Sequence, residues 1–286
     1  VAVKSIWLGL NFEDAALATG KDGCTAEHYA LELCAREQAH LLACLTAPLF
    51  KVPAVIPGAG FISFSSAPAD EVNATRRAHA AKAQARLAYA AAKLGVSAEF
   101  HIVQEPFPHL RDSLVALAMA SDFVILARPG SFLGFERHVA EALLFTSGRP
   151  VILVPEGWAR GARFQRIIVA WDGSGRAARA VGDAMPLLIR AEEEVEIVSV
   201  SSHTPKSIPS AGLAAHLARH CTKATVASIT LEHGSIAGTL RAYAKKAEAD
   251  LLVMGGYAHP RMLELVLGGV TSDMLTEAEL PVLLSH

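Results

Sequence analysis

Charge, cysteine and long apolar runs are all scarce in this chain, and each scarcity removes a class of function. Charged residues are 19% of the 286 and the formal net charge is -2. That balance gives no electrostatic reason to expect nucleic acid or an acidic membrane surface as a partner. The four cysteines, at 24, 34, 44 and 221, form no Cys-x-x-Cys pair and no metal-ligand spacing with the 12 histidines. Free thiols in a reducing compartment are the expectation. No uninterrupted apolar run approaches the ~18 residues that a membrane span needs. The chain opens on a strand-like run at 3–10, without a basic, apolar leader, so a cytoplasmic protein is expected. Walker-type phosphate loops and Gly-x-Ser-x-Gly elbows are also missing. At 52% hydrophobic content, the chain has ample material for packed cores and little for disorder.

What is present is a sentence written twice. Ser121-Asp122-Phe123-Val124-Ile125-Leu126-Ala127 is followed, after a helical stretch, by Arg149-Pro150-Val151-Ile152-Leu153-Val154. Ala249-Asp250-Leu251-Leu252-Val253-Met254-Gly255 is followed in the same way by Leu280-Pro281-Val282-Leu283-Leu284-Ser285. The openings match too, Lys4-Ser5-Ile6-Trp7-Leu8-Gly9-Leu10-Asn11 against Gln165-Arg166-Ile167-Ile168-Val169-Ala170-Trp171-Asp172. A repeat of roughly 120 residues is too long for a solenoid unit and right for a domain. Two domains are expected, 1–157 and 164–286, joined by the turn-rich segment 156–164.

Each half alternates β-branched runs with helical patterns, which predicts an α/β fold of two tandem five-stranded parallel sheets with helices on both faces. Strands are predicted at 5–10, 40–46, 97–103, 123–127 and 151–154, and again at 166–171, 195–201, 225–232, 251–255 and 281–284. Helices in the second half are predicted at 176–191, 210–221, 235–248 and 263–277. The symmetry breaks at 47–69, a stretch with four prolines, two glycines, three phenylalanines and Lys51 as its one charge. Such a loop either packs on its own domain or docks on a partner. The alanine-rich helix after it, 72–94, carries Arg76, Arg77, Lys82, Arg86 and Lys93, which read as a solvated face before a nucleic-acid footprint.

Ligands of open parallel sheets bind beyond the carboxyl ends of the strands, where strand order reverses. In the second half that crevice lies between the end of the first strand, Ala170-Trp171-Asp172-Gly173-Ser174, and the loop that follows Met254-Gly255-Gly256. Paired glycines ahead of a helix let backbone amides approach an anion, and His259 and Arg261 could add charge-assisted contacts to phosphate. The plain structural reading is a tight turn, with Asp172 serving the helix that follows.

These residues resemble the universal stress protein family over nearly the whole of both halves. The resemblance rests on the Ala-Asp-Leu-Leu-Val-Met-Gly strand, the glycine-spaced loop, the closing Pro-Val-Leu-Leu strand and Asp172-Gly173-Ser174. It implies a tandem universal stress protein with an adenine-nucleotide α-hydrolase-like fold and a role in stress survival. It also implies ATP or AMP as ligand where Gly-x2-Gly-x9-Gly-Ser/Thr is kept. Here Gly255 and Gly268 keep the pattern, while Ala258 and Gly269 depart from it. By the resemblance, the base would lie near Asp172 and Val198, and the phosphates would face Gly268, Gly269, Val270 and Thr271. The first half holds Asn11 for Asp172 and Ala127 for Gly255, and Glu141 would repel phosphate, so one nucleotide per chain is expected. The resemblance further implies a pseudo-dimer within the chain through 151–154 and 281–284, edge strands that would otherwise leave backbone groups unpaired. Association of two chains into a homodimer stays open. No general base is placed, so a weak ATPase is the most that enzymatic chemistry could amount to. The competing reading is a nucleotide-free scaffold that works through 47–69.

Overall fold

The computed structural model describes residues 2–11, 24–49, 52–55, 62–65, 69–107, 109–130, 134–201, 210–220, 223–232, 234–256 and 269–286. In chain order the elements are β1 (Ser5–Asn11), α1 (Thr25–Glu37), β2 (His40–Thr46), β3 (Val52–Val55), β4 (Ile62–Ser65), α2 (Asp70–Lys93), β5 (Ala98–Val103), α3 (His109–Ala118), β6 (Phe123–Ala127), α4 (Phe135–Thr146) and β7 (Val151–Val154). The second half follows with β8 (Arg166–Ala170), α5 (Gly175–Leu188), β9 (Glu194–Ser201), α6 (Ala211–Ala218), β10 (Ala224–Thr230), α7 (Ile236–Lys246), β11 (Leu251–Gly255), α8 (Val270–Glu277) and β12 (Val282–Ser285). The α/β class and the parallel strands read from sequence stand.

The strands form one ten-stranded sheet in the order β10-β9-β8-β11-β12-β7-β6-β1-β2-β5. Each half contributes five parallel strands, with its own first strand between the second and the fourth. The two blocks meet at the single antiparallel pair, β12 with β7, where Val282 faces Leu153 and Leu284 faces Val151. All four residues of each strand are buried. Left as edges, they would expose a row of unpaired amides and carbonyls beside apolar side chains, and pairing with each other removes both liabilities. Two five-stranded sheets meeting through 151–154 and 281–284 were the expectation, and edge-to-edge pairing there joins them into one sheet.

Why the repeated phrase recurs is visible at the start of the sheet. Asp122 Oδ2 accepts from the backbone amides of Lys4 and Ser5 at 2.7 and 2.9 Å. Asp250 Oδ2 does the same for Gln165 and Arg166 at 2.9 and 3.1 Å. The aspartate ahead of each fourth strand therefore holds the entry of each first strand. Pro150 and Pro281 accept from Val124 and Leu252 through their carbonyls at 3.0 Å. Proline at a strand's first residue costs no ladder donor there.

Strand alternation sends side chains to two cores. Ile6, Leu8 and Leu10 join α1, α2, α5 and α6 on one face. Trp7 and Cys44 join α3, α4, α7 and α8 on the other. Both cores draw residues from both halves, so each runs continuously across the junction. The connecting segment is pinned as well. Thr25 donates to Glu156 at 3.1 Å, Glu32 accepts from Ala162 N at 2.9 Å, and Arg160 lies 4.5 Å over the Trp158 ring while bonding Asp250 at 3.1 Å. Gly161, at φ +63°, has its missing Cβ position filled by the Glu32 carboxylate.

The stretch 47–69 contains the antiparallel ribbon β3–β4, with Val52 opposite Ser65, apart from the main sheet. Alternation in Val-Pro-Ala-Val and Ile-Ser-Phe-Ser was the unread signal for it. Two of the basic residues of α2 turn toward protein. Arg86 pairs with the buried Glu27, and Arg76 donates to the Pro48 carbonyl at 3.0 Å. Among the described residues no helix is long and apolar enough to cross a membrane, and no cluster of His, Cys, Asp or Glu could hold a metal ion. Cys24, Cys34 and Cys44 are buried and form no disulfide; Cys221 lies outside the described residues.

Candidate functional site

In the second half the order β9-β8-β11-β12 places the carboxyl ends of β8 and β11 side by side, at the point where strand order reverses. β8 ends at Ala170, and Trp171 and Asp172 continue over the sheet edge. Asp172 is exposed, and its Oδ1 accepts from the Ser174 amide at 2.9 Å. Ser174 caps α5 by accepting from Ala177 N at 3.1 Å. Asp172 thus orders the turn that starts α5 while standing at the mouth of the crevice.

Val198 sits beside this turn, its carbonyl accepting from Trp171 N at 2.9 Å. Its side chain is core, 1% exposed. The contact it offers from this position is backbone and packing, with no exposed face of its own. Gly255 ends β11 under the first turn of α5. A Cβ there would lie 2.8 Å from Ala177 N and from the Arg176 carbonyl carbon. Close approach of strand and helix accounts for this glycine without any ligand.

Gly269 behaves differently. It is the N-cap of α8 with φ 172° and ψ 154°, an extended conformation that any residue adopts, and a Cβ added to it would meet nothing within 4 Å. Among the described residues, nothing fills the space beside the helix N-terminus. Val270 is partly exposed beside it, whereas Thr271 is buried at 4% exposure. A helix start of this kind presents amides and a favourable dipole to an anion. His259, Arg261 and Gly268 lie outside the described residues. The structure places Asp172 just past β8, Val198 and Gly255 on the strands either side of β8, and Gly269, Val270 and Thr271 at the start of α8.

In the first half the equivalent crevice is filled differently. Trp7 stands where Ile168 stands in the repeat, and its indole packs where a Cβ of Gly9 would be, 2.6 Å from that position. Burial pushes the neighbouring Cys44 thiol up to about 12, with the Trp7 indole pulling the other way. Asn11 Nδ2 donates to Glu136 Oε1 at 2.8 Å. The carboxylate at this crevice is therefore Glu136. Glu141, singled out from sequence, accepts from Arg137 Nε at 2.9 Å, and Arg137 Nη2 donates across the junction to Ser272 at 3.0 Å. Helical phase decides this: Glu136 lies in the first turn of α4, facing Asn11, and Glu141 lies a turn and a half later.

Comparisons with known proteins agree with this geometry. Residues 163–286 match the model of the universal stress protein family. A curated universal stress protein from Synechocystis sp. is 24% identical over 180 residues, an alignment that covers 61% of this chain and 61% of that protein, less than two thirds of its length. A solved universal stress protein from Archaeoglobus fulgidus superposes with a TM-score of 0.73 at 16% identity, covering 98% of this chain and 97% of that one. A functionally unknown protein from Pseudomonas aeruginosa gives 0.54 at 15% identity, with 99% and 92% coverage. At such identities the solved structures speak for the fold, and they do so over the first half as well as the second. The segment 163–286 is thus similar to universal stress protein domains in sequence, and both halves are similar to them in fold.

Proposed function

We propose that the whole chain is a tandem universal stress protein, with units at 1–157 and 164–286, and that its second half binds one adenine nucleotide, ATP or AMP. The observation that carries this reading is the N-terminus of α8 at Gly269, where no described residue fills the space, in the half whose sheet reverses its strand order next to the exposed Asp172. The base would lie by Asp172 and Val198. The phosphates would face the amides of Gly268, Gly269, Val270 and Thr271, with His259 and Arg261 adding positive charge. Gly255 would shape the floor through its contact with α5. In the first half, Trp7 and Glu136 occupy the corresponding volume and present a negative charge, which argues for one nucleotide per chain. Occupancy would be read out as a conformational signal in stress, in a cytoplasmic setting, with no catalytic step required.

Gly269 supplies the test because its geometry separates binding from folding. Gly269→Leu fits the backbone and the open space, so the melting temperature should stay unchanged. Calorimetric titration with ATP, ADP and AMP should show one saturable site in the parent chain and at least a tenfold weaker one in the variant. Two equivalent sites, or undiminished affinity in Gly269→Leu, would overturn the assignment. Absence of any nucleotide binding by the parent would favour the scaffold reading through 47–69.

A further inference from the structure

The first-half crevice is more than a spoiled copy of the second. Beyond the carboxyl ends of β1 and β6 it holds a half-open cavity of about 50 Å³, walled by Trp7, Leu126, Phe135 and Val139, with Asn11 and Glu136 as polar groups. At one water per 10–15 Å³ this space takes about three to five waters, the room of a small organic molecule and far too little for an adenine nucleotide. Trp7 is fully buried and Val139 is 7% exposed, so the walls are held by the core behind them.

The buried donor of the wall, Trp7 Nε1, lies toward the Cys44 sulfur, and the polar atoms of Asn11 and Glu136 left at the cavity are acceptors. Asn11 is oriented by Glu136: its Nδ2 donates to Oε1 at 2.8 Å, and the reversed amide would set oxygen against carboxylate. This leaves Asn11 Oδ1 as a buried acceptor with no hydrogen-bond partner. Glu136 Oε2 has only a 3.5 Å contact from Gly130 N, and no cation pairs with Glu136 among the described residues. The Thr46 hydroxyl is already committed as donor to the Leu10 carbonyl at 3.0 Å. A buried orphan acceptor is destabilising, and a ligand that donates to it recovers that loss. An anion would be repelled by the carboxylate, and a purely apolar guest would leave both acceptors unanswered. Aromatic walls also suit a cation.

From this we propose that the first half carries a ligand site of its own, selective for a small primary alkylammonium group. The ammonium donates to Asn11 Oδ1 and the Glu136 carboxylate, and the alkyl part fills the space among Trp7, Leu126, Phe135 and Val139. The site is independent of the nucleotide reading, since none of its residues belongs to the second half.

Isobutylammonium, isobutanol and isobutyrate differ in the head group alone and fit the cavity by size. Calorimetric titration of the full chain, with indole fluorescence as a second signal, should show one saturable site for the ammonium at millimolar concentration or below. The alcohol should bind at least tenfold more weakly, and the carboxylate should not bind. Glu136→Gln should weaken the ammonium tenfold or more and erase its advantage over the alcohol. Val139→Phe, which fills the cavity, should abolish binding of both. No saturable ammonium binding by the parent, equal affinity for the alcohol, or an undiminished ammonium preference in Glu136→Gln would each overturn the proposal. Nucleotide titration of the same samples reports separately on the second half.

Discussion

Glycines at 9, 255 and 269 show how one residue type carries three unrelated meanings, and only contact geometry tells them apart. Gly9 makes room for the Trp7 ring, Gly255 lets β11 approach α5, and Gly269 borders open space. From sequence, the last two read alike as parts of a phosphate loop. Gly255→Ala is therefore a stability variant before it is a binding variant. The added methyl would sit 2.8 Å from backbone atoms of Arg176 and Ala177, which cannot rotate away. Overpacking of this kind costs about 1–3 kcal/mol. Urea unfolding should show a lowered midpoint with an unchanged slope, and a midpoint equal to the parent's would contradict the tight contact. Asp122 and Asp250 were visible in sequence as repeat landmarks, yet their work, holding the amides of the paired first strand, appears only when residues more than 80 positions apart are brought together.

Helix starts are the element features that sequence foretold best. The predicted starts at 176 and 235 fall within one residue of the observed ones, and the structure adds a serine cap to each, Ser174 accepting from Ala177 N at 3.1 Å and Ser235 from Gly238 N at 2.9 Å. Losing such a cap costs about 1 kcal/mol. Ser174→Ala should lower stability by roughly that amount. Because the Asp172 turn is anchored on the Ser174 amide, which alanine retains, nucleotide affinity should fall by less than its stability suggests. A stability loss near zero would mean that Asp172 alone organises this turn. Elements less legible were those whose pattern is short or whose partner is distant. The ribbon β3–β4 has four residues per strand, below the length at which alternation is convincing among prolines. The choice between Glu136 and Glu141 depended on the phase of α4, which a shift of one residue in the repeat alignment reverses.

At the scale of the whole molecule, the joined sheet has a thermodynamic consequence. The β7–β12 ladder, the two shared cores, the Arg190–Glu37 pair at 2.8 Å and the Arg137–Ser272 bond all cross from one half to the other. Breaking one half exposes apolar surface of its neighbour, so the halves should unfold together. Scanning calorimetry should give a single transition with calorimetric and van't Hoff enthalpies in agreement. Two resolved transitions would mean that the junction is weaker than its burial implies. Leu153→Asp would place a charge in the buried ladder opposite Val282 and should separate the transitions or unfold the chain.

Local pattern was enough for the strands, the helices, the duplication and the polarity of each five-strand block, because those follow from side-chain period and from chain connectivity. It was also enough to point at the edge strands, since an apolar edge needs a partner. The resemblance named 151–154 and 281–284 as the junction, and tertiary structure alone set its antiparallel register and made the two sheets one. Tertiary structure likewise decided which glycine is packed and which is open, and which carboxylate faces the first-half crevice. The reason is the same throughout. Periodicity is a property of neighbours in the chain, whereas a cavity, a close approach or an orphaned oxygen is set by groups far apart in sequence and within a few ångströms in space.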